Sequence, residues 1–235
     1  MNAWNQLDAP DMAAGLRAAL ARGLPGRGAQ RAMAPELAYG RHGGPVPREA
    51  RRAAVLLALN RTPDGWAIPA ILRPVTMRAH AGQVSLPGGM REAGETAPEA
   101  ALREFAEELG AATEGLEIVG ALSPVFVFVS SFEVTPLVAI AHHPLALAPS
   151  PAEVAEVVWL PVARLVDPGC RGSHWIRRGE LVFRAPHLAI GGREIWGATS
   201  LILAEFAALF GLPNGSEERD NGATSRESPP GNGSC

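Results

Sequence analysis

GMREAGETAPEAALREFAEELGA, Gly89 to Ala111, is the stretch on which the reading of this chain turns. Its second half predicts a helix over Pro98–Leu109. Thr96 is placed to cap the helix, and Glu99, three residues on, completes a capping box. Pro98 falls in the first turn, where its missing N–H costs nothing. Gly110 is a natural stop. At about 100° per residue, Leu102, Phe105, Ala106 and Leu109 gather on a side that can face a sheet. Glu104, Glu107 and Glu108 gather away from it, at i, i+3 and i+4. Like charges at that spacing weaken an isolated helix by roughly 0.2–0.5 kcal/mol per pair.

For a bare run of glutamates, a solvated acidic face is the ordinary explanation. Three observations argue for more. Arg103 adjoins the cluster and can fix the direction of a carboxylate. Glu95 lies one loop before the same helix and can fold back toward it. Gly88 and Gly89, in the run Pro87-Gly88-Gly89, let backbone come close to a ligand and offer carbonyl oxygens. Carboxylates with backbone oxygen form the donor set of a hard divalent cation such as Mg²⁺ or Mn²⁺. The absence of His and Cys from the cluster disfavours zinc there.

Outward from this segment, Ala53–Leu59 and Trp66–Leu72 read as strands joined by the turn Thr62-Pro63-Asp64-Gly65. Gln83–Leu86 is a short strand candidate, and Leu116–Leu122, Glu133–Ala141 and Val154–Leu160 are further ones. A hairpin is expected at Gly191-Gly192, with His187–Ile190 and Glu194–Trp196 as arms. Thr199–Phe210 reads as an amphipathic helix slightly spoiled by Glu205. Elements mix without strict alternation, so a mixed sheet between helical layers is expected. Residues 1–50 read as a helix over Asp11–Ala21, capped by Asp11, and an extended arm over Leu24–Arg48. Residues 51–212 form the expected domain. Residues 213–235 have almost no apolar side chains and read as a disordered tail.

The segment Gly89–Ala111 resembles the signature of the Nudix hydrolases: Gly, five residues, Glu, seven residues, Arg-Glu, an apolar residue, any residue, Glu-Glu, any residue, Gly, an apolar residue. Gly89, Glu95, Arg103, Glu104, Glu107, Glu108 and Gly110 fill the seven fixed places, and Phe105 and Ala111 the apolar ones. The resemblance implies an α/β/α sandwich with a mixed β-sheet. It implies hydrolysis of a diphosphate linked to a nucleoside, with Mg²⁺ or Mn²⁺ as cofactor. Glu104, Glu107 and Glu108 would then be metal ligands, with Glu104 nearest the water to be activated. Gly89 would add a carbonyl, Glu95 would support the loop or a second metal, and Arg103 would orient a carboxylate. A Nudix-fold binding module without catalysis is the opposing implication, but such modules commonly lose the carboxylates kept here.

The run from Arg73 to Gly89 resembles the motif that accompanies the signature in coenzyme A pyrophosphatases. Arg78, Gly82 and Pro87-Gly88-Gly89 match, as does His80-Ala81-Gly82-Gln83. Ile71, Pro74 and Leu86 depart from it. Coenzyme A is therefore the implied substrate, giving 4′-phosphopantetheine and adenosine 3′,5′-bisphosphate, with ADP-ribose or a dinucleoside polyphosphate as the alternative. Arg73 and Arg78 can supply charge-assisted bonds to its phosphates, with Gly88 and Gly89 allowing close approach.

Composition narrows the remaining classes. Of 235 residues 47% are hydrophobic, enough for a sizeable core, and the net charge of −3 disfavours a nucleic-acid partner. All 21 basic residues are arginine, which reads as coding bias. No run has the length of a membrane span, and the N-terminus lacks an apolar signal core. Cys170 and Cys235 make no disulfide framework or zinc spacing, and Cys170 reads as an ordinary loop cysteine. A soluble cytoplasmic enzyme acting on a small molecule is expected, with a homodimer left open. Glu153, Glu156 and His142 read as surface residues, and Trp159 and Trp196 as core or wall.

Overall fold

The computed structural model describes residues 3–38, 40–76 and 81–210. Arg78 and His80, and the tail beyond residue 210, lie outside them. In chain order the strands are β1 (Arg51–Thr62), β2 (Gly65–Leu72), β3 (Val84–Ser85), β4 (Gly88–Met90), β5 (Leu116–Ala121), β6 (Val125–Val127), β7 (Phe132–Ala141), β8 (Glu156–Pro161), β9 (Arg171–Arg178), β10 (Leu181–Ile190) and β11 (Arg193–Trp196). The helices are α1 (Ala9–Ala21), α2 (Gly26–Arg31), α3 (Ala97–Leu109), α4 (Val162–Leu165) and α5 (Ala198–Ala208).

The central sheet runs β3-β2-β1-β7-β5, with β4 beside β1, β6 beside β7 and β8 beside β2. Its β1–β7 ladder is parallel, from Arg51↔Phe132 to Leu59↔Ile140, and the other pairings are antiparallel. The mixed sheet expected from the sequence is thus present. β1 is buried on both faces, which explains its near-continuous apolar run. Ala54, Leu56 and Ala58 point to one side and pack with Ala101, Phe105 and Leu109 of α3. Leu57 and Leu59 point to the other and pack with Met12 and Leu16 of α1 and Leu203 and Phe206 of α5. Helices therefore cover both faces, the α/β/α layering. A second sheet, β11-β10-β9, packs Leu188, Ile190 and Ile195 into the same core.

Several expectations need correction. α1 starts at Ala9, and its cap is Asp8, whose carboxylate accepts from the Asp11 N–H at 2.9 Å. Asp11 sits in the first turn, where its charge complements the helix dipole. Leu24–Arg48 is not extended: it forms α2 and two short 3-10 turns, and Ala29, Met33 and Ala38 are buried. Its small apolar residues gain more by burial than a solvated arm would keep.

α5 is not amphipathic. Ser200 to Ala207 are all buried, Glu205 included. That carboxylate accepts from Gln30 Nε2 at 2.7 Å and from the backbone N–H groups of Gly26 and Ser123, both at 3.1 Å. It ties α2 and the loop after β5 to α5, so the residue that spoils the apolar stripe is a buried structural anchor. Trp159 is not core: it is 37% exposed on β8. Strands β4, β6 and β9 have no counterpart in the sequence reading; β9 reads RGSHWIRR, too polar for an apolar run.

Candidate active site

The loop–helix unit from Gly88 to Gly110 takes the local form its residues dictate. Thr96 Oγ1 accepts from the Glu99 N–H, and Glu99 Oε2 accepts from the Thr96 N–H at 2.7 Å, a complete capping box. Gly110 ends the helix in the left-handed region at φ 60°. Val55 and Ala54 of β1 pair with Gly88 and Gly89, which lays this turn directly against the central strand.

Gly88 is required by space, and a side chain at Gly89 would push Glu104 aside. Gly88 has φ +148°, and a Cβ there would lie 2.2 Å from the Ala54 carbonyl oxygen. A Cβ on Gly89 would lie 2.3 Å from Glu104 Oε1. The backbone therefore touches the Glu104 carboxylate with no room for a side chain between them.

The three helix glutamates sit in three environments rather than on one solvated face. Glu107 is exposed, Glu104 is half-buried and Glu108 is 4% exposed. Glu108 Oε2 accepts from the Gly88 N–H at 2.9 Å, and Oε1 lies 3.9 Å from Arg73 Nη1. Burial pushes its carboxyl up from 4.5 to about 7, with the nearby Glu104 and Glu153 charges adding to the rise and the Gly88 hydrogen bond and Arg73 opposing it.

Arg103 organises the others. Its Nε and Nη2 donate to the two oxygens of Glu95 at 2.8 and 3.2 Å, a bidentate pair. Its Nη1 donates to Glu104 at 3.0 Å and to Glu107 at 3.1 Å, and Nη2 also reaches the Met90 carbonyl at 3.2 Å. Glu95 Oε2 further accepts from the Glu92 N–H at 2.8 Å, so this carboxylate pins the loop to the helix. The Arg103 pairing holds the Glu95 carboxyl below its ordinary range, and the Glu92 hydrogen bond reinforces it.

The arrangement brings Glu95, Glu104 and Glu107 around one guanidinium and sets Glu108 behind them against Gly88. Among the described residues, the box carboxylates do not converge on a common point in this arrangement. The donor set still fits a hard divalent cation. It is made of carboxylate oxygens with backbone oxygen beside a glycine, and it contains no nitrogen or sulfur ligand.

Arg73 stands at the exit of β2. Its N–H donates to the Gln83 carbonyl at 3.0 Å and its carbonyl accepts from the Gly82 N–H at 3.1 Å, closing the neck of the 73–83 loop beside Glu108. Arg73 Nε is buried with no hydrogen-bond partner. Arg78, predicted from sequence to face the substrate, lies outside the described residues.

Glu153 is exposed, yet its charge is felt at Glu108, because Ser150 and Ala148 donate to the carbonyls of Glu108 and Leu109 at 2.9 and 2.8 Å and bring that loop onto the end of α3. Sequence reading left Glu153 at the surface; only this loop contact marks it as a neighbour. Glu156 pairs with Arg193 and His142 with Glu117. Cys170 is buried, and burial pushes its thiol up, which suits an inert side chain.

The NUDIX domain model matches residues 48–178. A protein of Cronobacter sakazakii described as the uncharacterized Nudix hydrolase NudL is 34% identical over 176 residues, covering 68% of this chain and 83% of the relative. Its counterpart in Salmonella paratyphi B is 34% identical over 177 residues, covering 69% and 84%. The crystal structure of the Nudix hydrolase RenU from M. smegmatis aligns with a TM-score of 0.43 at 27% identity, covering 51% of this chain and 78% of that one. No helix among the described residues is long and apolar enough to cross a membrane.

Proposed function

This chain belongs to the Nudix hydrolase family, and from that premise we propose that it is a Mg²⁺-dependent diphosphatase whose substrate is coenzyme A or one of its derivatives. Glu104, Glu107 and Glu108 are the proposed metal ligands, with the Gly89 carbonyl beside them. A divalent cation bound there supplies Lewis-acid chemistry, neutralising the diphosphate and activating water. The side chains do the rest. Arg103 holds Glu104 and Glu107 in place and is anchored in turn by Glu95. Glu104, beside Gly89, is proposed as the residue nearest the attacking water. Gly88 and Gly89 keep the surface under the substrate free of side chains.

The observation that carries the substrate reading is Arg73. It belongs to the segment that resembles coenzyme A pyrophosphatases, it borders Glu108, and its Nε is a buried donor with no partner. A buried, unpaired donor is costly, by about 1–3 kcal/mol. Nε itself is shut off from solvent, so a substrate phosphate would be met by the exposed edge of the guanidinium, whose side chain is 23% accessible. Arg78, in the same segment, is proposed to meet a second phosphate of the substrate.

Product analysis tests the proposal. Coenzyme A with Mg²⁺ should yield 4′-phosphopantetheine and adenosine 3′,5′-bisphosphate. Faster turnover of ADP-ribose or a dinucleoside polyphosphate would overturn the substrate, leaving the reaction standing. Failure to cleave any diphosphate with Mg²⁺ or Mn²⁺ would overturn catalysis itself in favour of a binding module.

A further inference from the structure

Strands β9, β10 and β11 place His174, His187 and Glu194 together although the chain separates them. His187 pairs across the ladders with Gly172 on one side and Trp196 on the other, His174 lies opposite Ala185, and Glu194 lies opposite Ala189. Side chains alternate along a strand. Positions 185, 187 and 189 of β10 therefore share a face, and His174, Glu194 and Trp196 lie on it with them. The opposite face carries Leu188 and Ile190 into the core.

On this face His174 Nδ1 is 2.8 Å from His187 Nδ1 and 3.3 Å from Glu194 Oε2, and His187 Nε2 is 3.7 Å from Glu194 Oε1. Two ring nitrogens at 2.8 Å cannot both carry protons toward each other, so at least one presents a lone pair. The space is cleared for these rings: a Cβ on Gly172 would lie 2.5 Å from His187 Nε2. The Trp196 ring meets His174 edge-on at 5.9 Å and walls the cluster. His187 is nearly buried while the Glu194 side chain is 54% exposed, which leaves an entry path.

We propose that His174, His187 and Glu194 form a second metal site, separate from the Nudix glutamates and selective for a borderline transition ion such as Zn²⁺. Two imidazoles and a carboxylate are the donors such an ion takes and Mg²⁺ does not. Around tetrahedral zinc, ligands at about 2.0–2.2 Å stand roughly 3.3–3.5 Å apart. One ligand atom from each residue lies within 4.8 Å of the other two, and the His174 Nδ1–Glu194 Oε2 separation of 3.3 Å already has that value, so rotation of the His187 ring can complete the set. Three protein ligands leave the fourth position to water. The ion would staple three strands of the second sheet.

The test is titration of the full chain with Co²⁺ under saturating Mg²⁺, read by visible d–d absorption, followed by displacement with Zn²⁺. One equivalent with four-coordinate bands and no sulfur charge-transfer band is expected. Zn²⁺ at about a hundredfold excess over its Kd should raise the Tm by about 5–10 °C. Glu194→Gln, at an exposed position, should weaken Zn²⁺ binding by about tenfold or more, and His174→Ala should abolish the equivalent. Glu107→Gln should keep it. No Mg²⁺-resistant equivalent in the wild type, or an equivalent retained by His174→Ala and Glu194→Gln but lost in Glu107→Gln, would overturn the site. In the first case the pair is a proton-sharing structural contact; in the second the ion binds the Nudix glutamates.

Discussion

Replacing Glu108 with glutamine should make the metal-free protein more stable and the enzyme nearly inactive. Glu108 is 4% exposed, and its burial moves its carboxyl from 4.5 to about 7. The folded chain therefore keeps a proton there over a range in which the unfolded chain has lost it. Its favourable contribution is complete below about pH 4.5 and is lost as pH rises through about 7. The shift corresponds to at most about 3 kcal/mol. Glutamine resembles the protonated carboxyl and can still accept from the Gly88 N–H. In EDTA at about pH 8, Glu108→Gln should gain up to about 3 kcal/mol, or roughly 6–12 °C in Tm. Near pH 4.5 the two proteins should melt much closer together. With Mg²⁺, turnover should fall on the order of 100-fold or more. Thermal melts at both pH values and a diphosphatase assay read all three. A variant less stable than wild type at about pH 8, or one stabilised equally at both pH values, would refute the reasoning.

Further outcomes follow from the same geometry. Glu107→Gln, at an exposed ligand position, should cut turnover on the order of 100-fold or more while leaving the melting curve nearly unchanged; near wild-type activity would remove Glu107 from the ligand set. Arg78→Ala should weaken use of coenzyme A more than of 3′-dephospho-coenzyme A, and equal losses in kcat/KM would remove the proposed 3′-phosphate contact. Glu205→Ala strips the acceptor from Gln30 Nε2 and two backbone N–H groups. It should cost about 3 kcal/mol or more in a denaturant titration, and a loss below about 1 kcal/mol would show that this carboxylate anchors little.

What could be read from sequence was local. The Thr96–Glu99 box, the Gly110 stop and the buried run of β1 are set by neighbours a few residues apart, and each appears in place. The close backbone approach at Gly88 was legible because only glycine serves where backbone meets backbone at a positive φ. What escaped depends on distant partners. Glu205 looks like a flaw in an apolar helix until Gln30 and the 123 loop are brought to it. Asp8 takes the cap from Asp11 because α1 begins two residues earlier than its apolar spacing suggests. Glu108 looks equivalent to Glu107 in a helical projection, and only the packing of β4 against α3 separates them into buried and exposed. His174, His187 and Glu194 share no motif; strand register alone unites them.

On the proposed reading, Glu104, Glu107 and Glu108 turn onto one divalent cation when it binds. Anomalous diffraction from crystals soaked in Mn²⁺ tests it most directly. A peak among these three carboxylates beside Gly89 is expected. A map at saturating Mn²⁺ with no peak there, or with one only at the histidine pair of the second sheet, would contradict it.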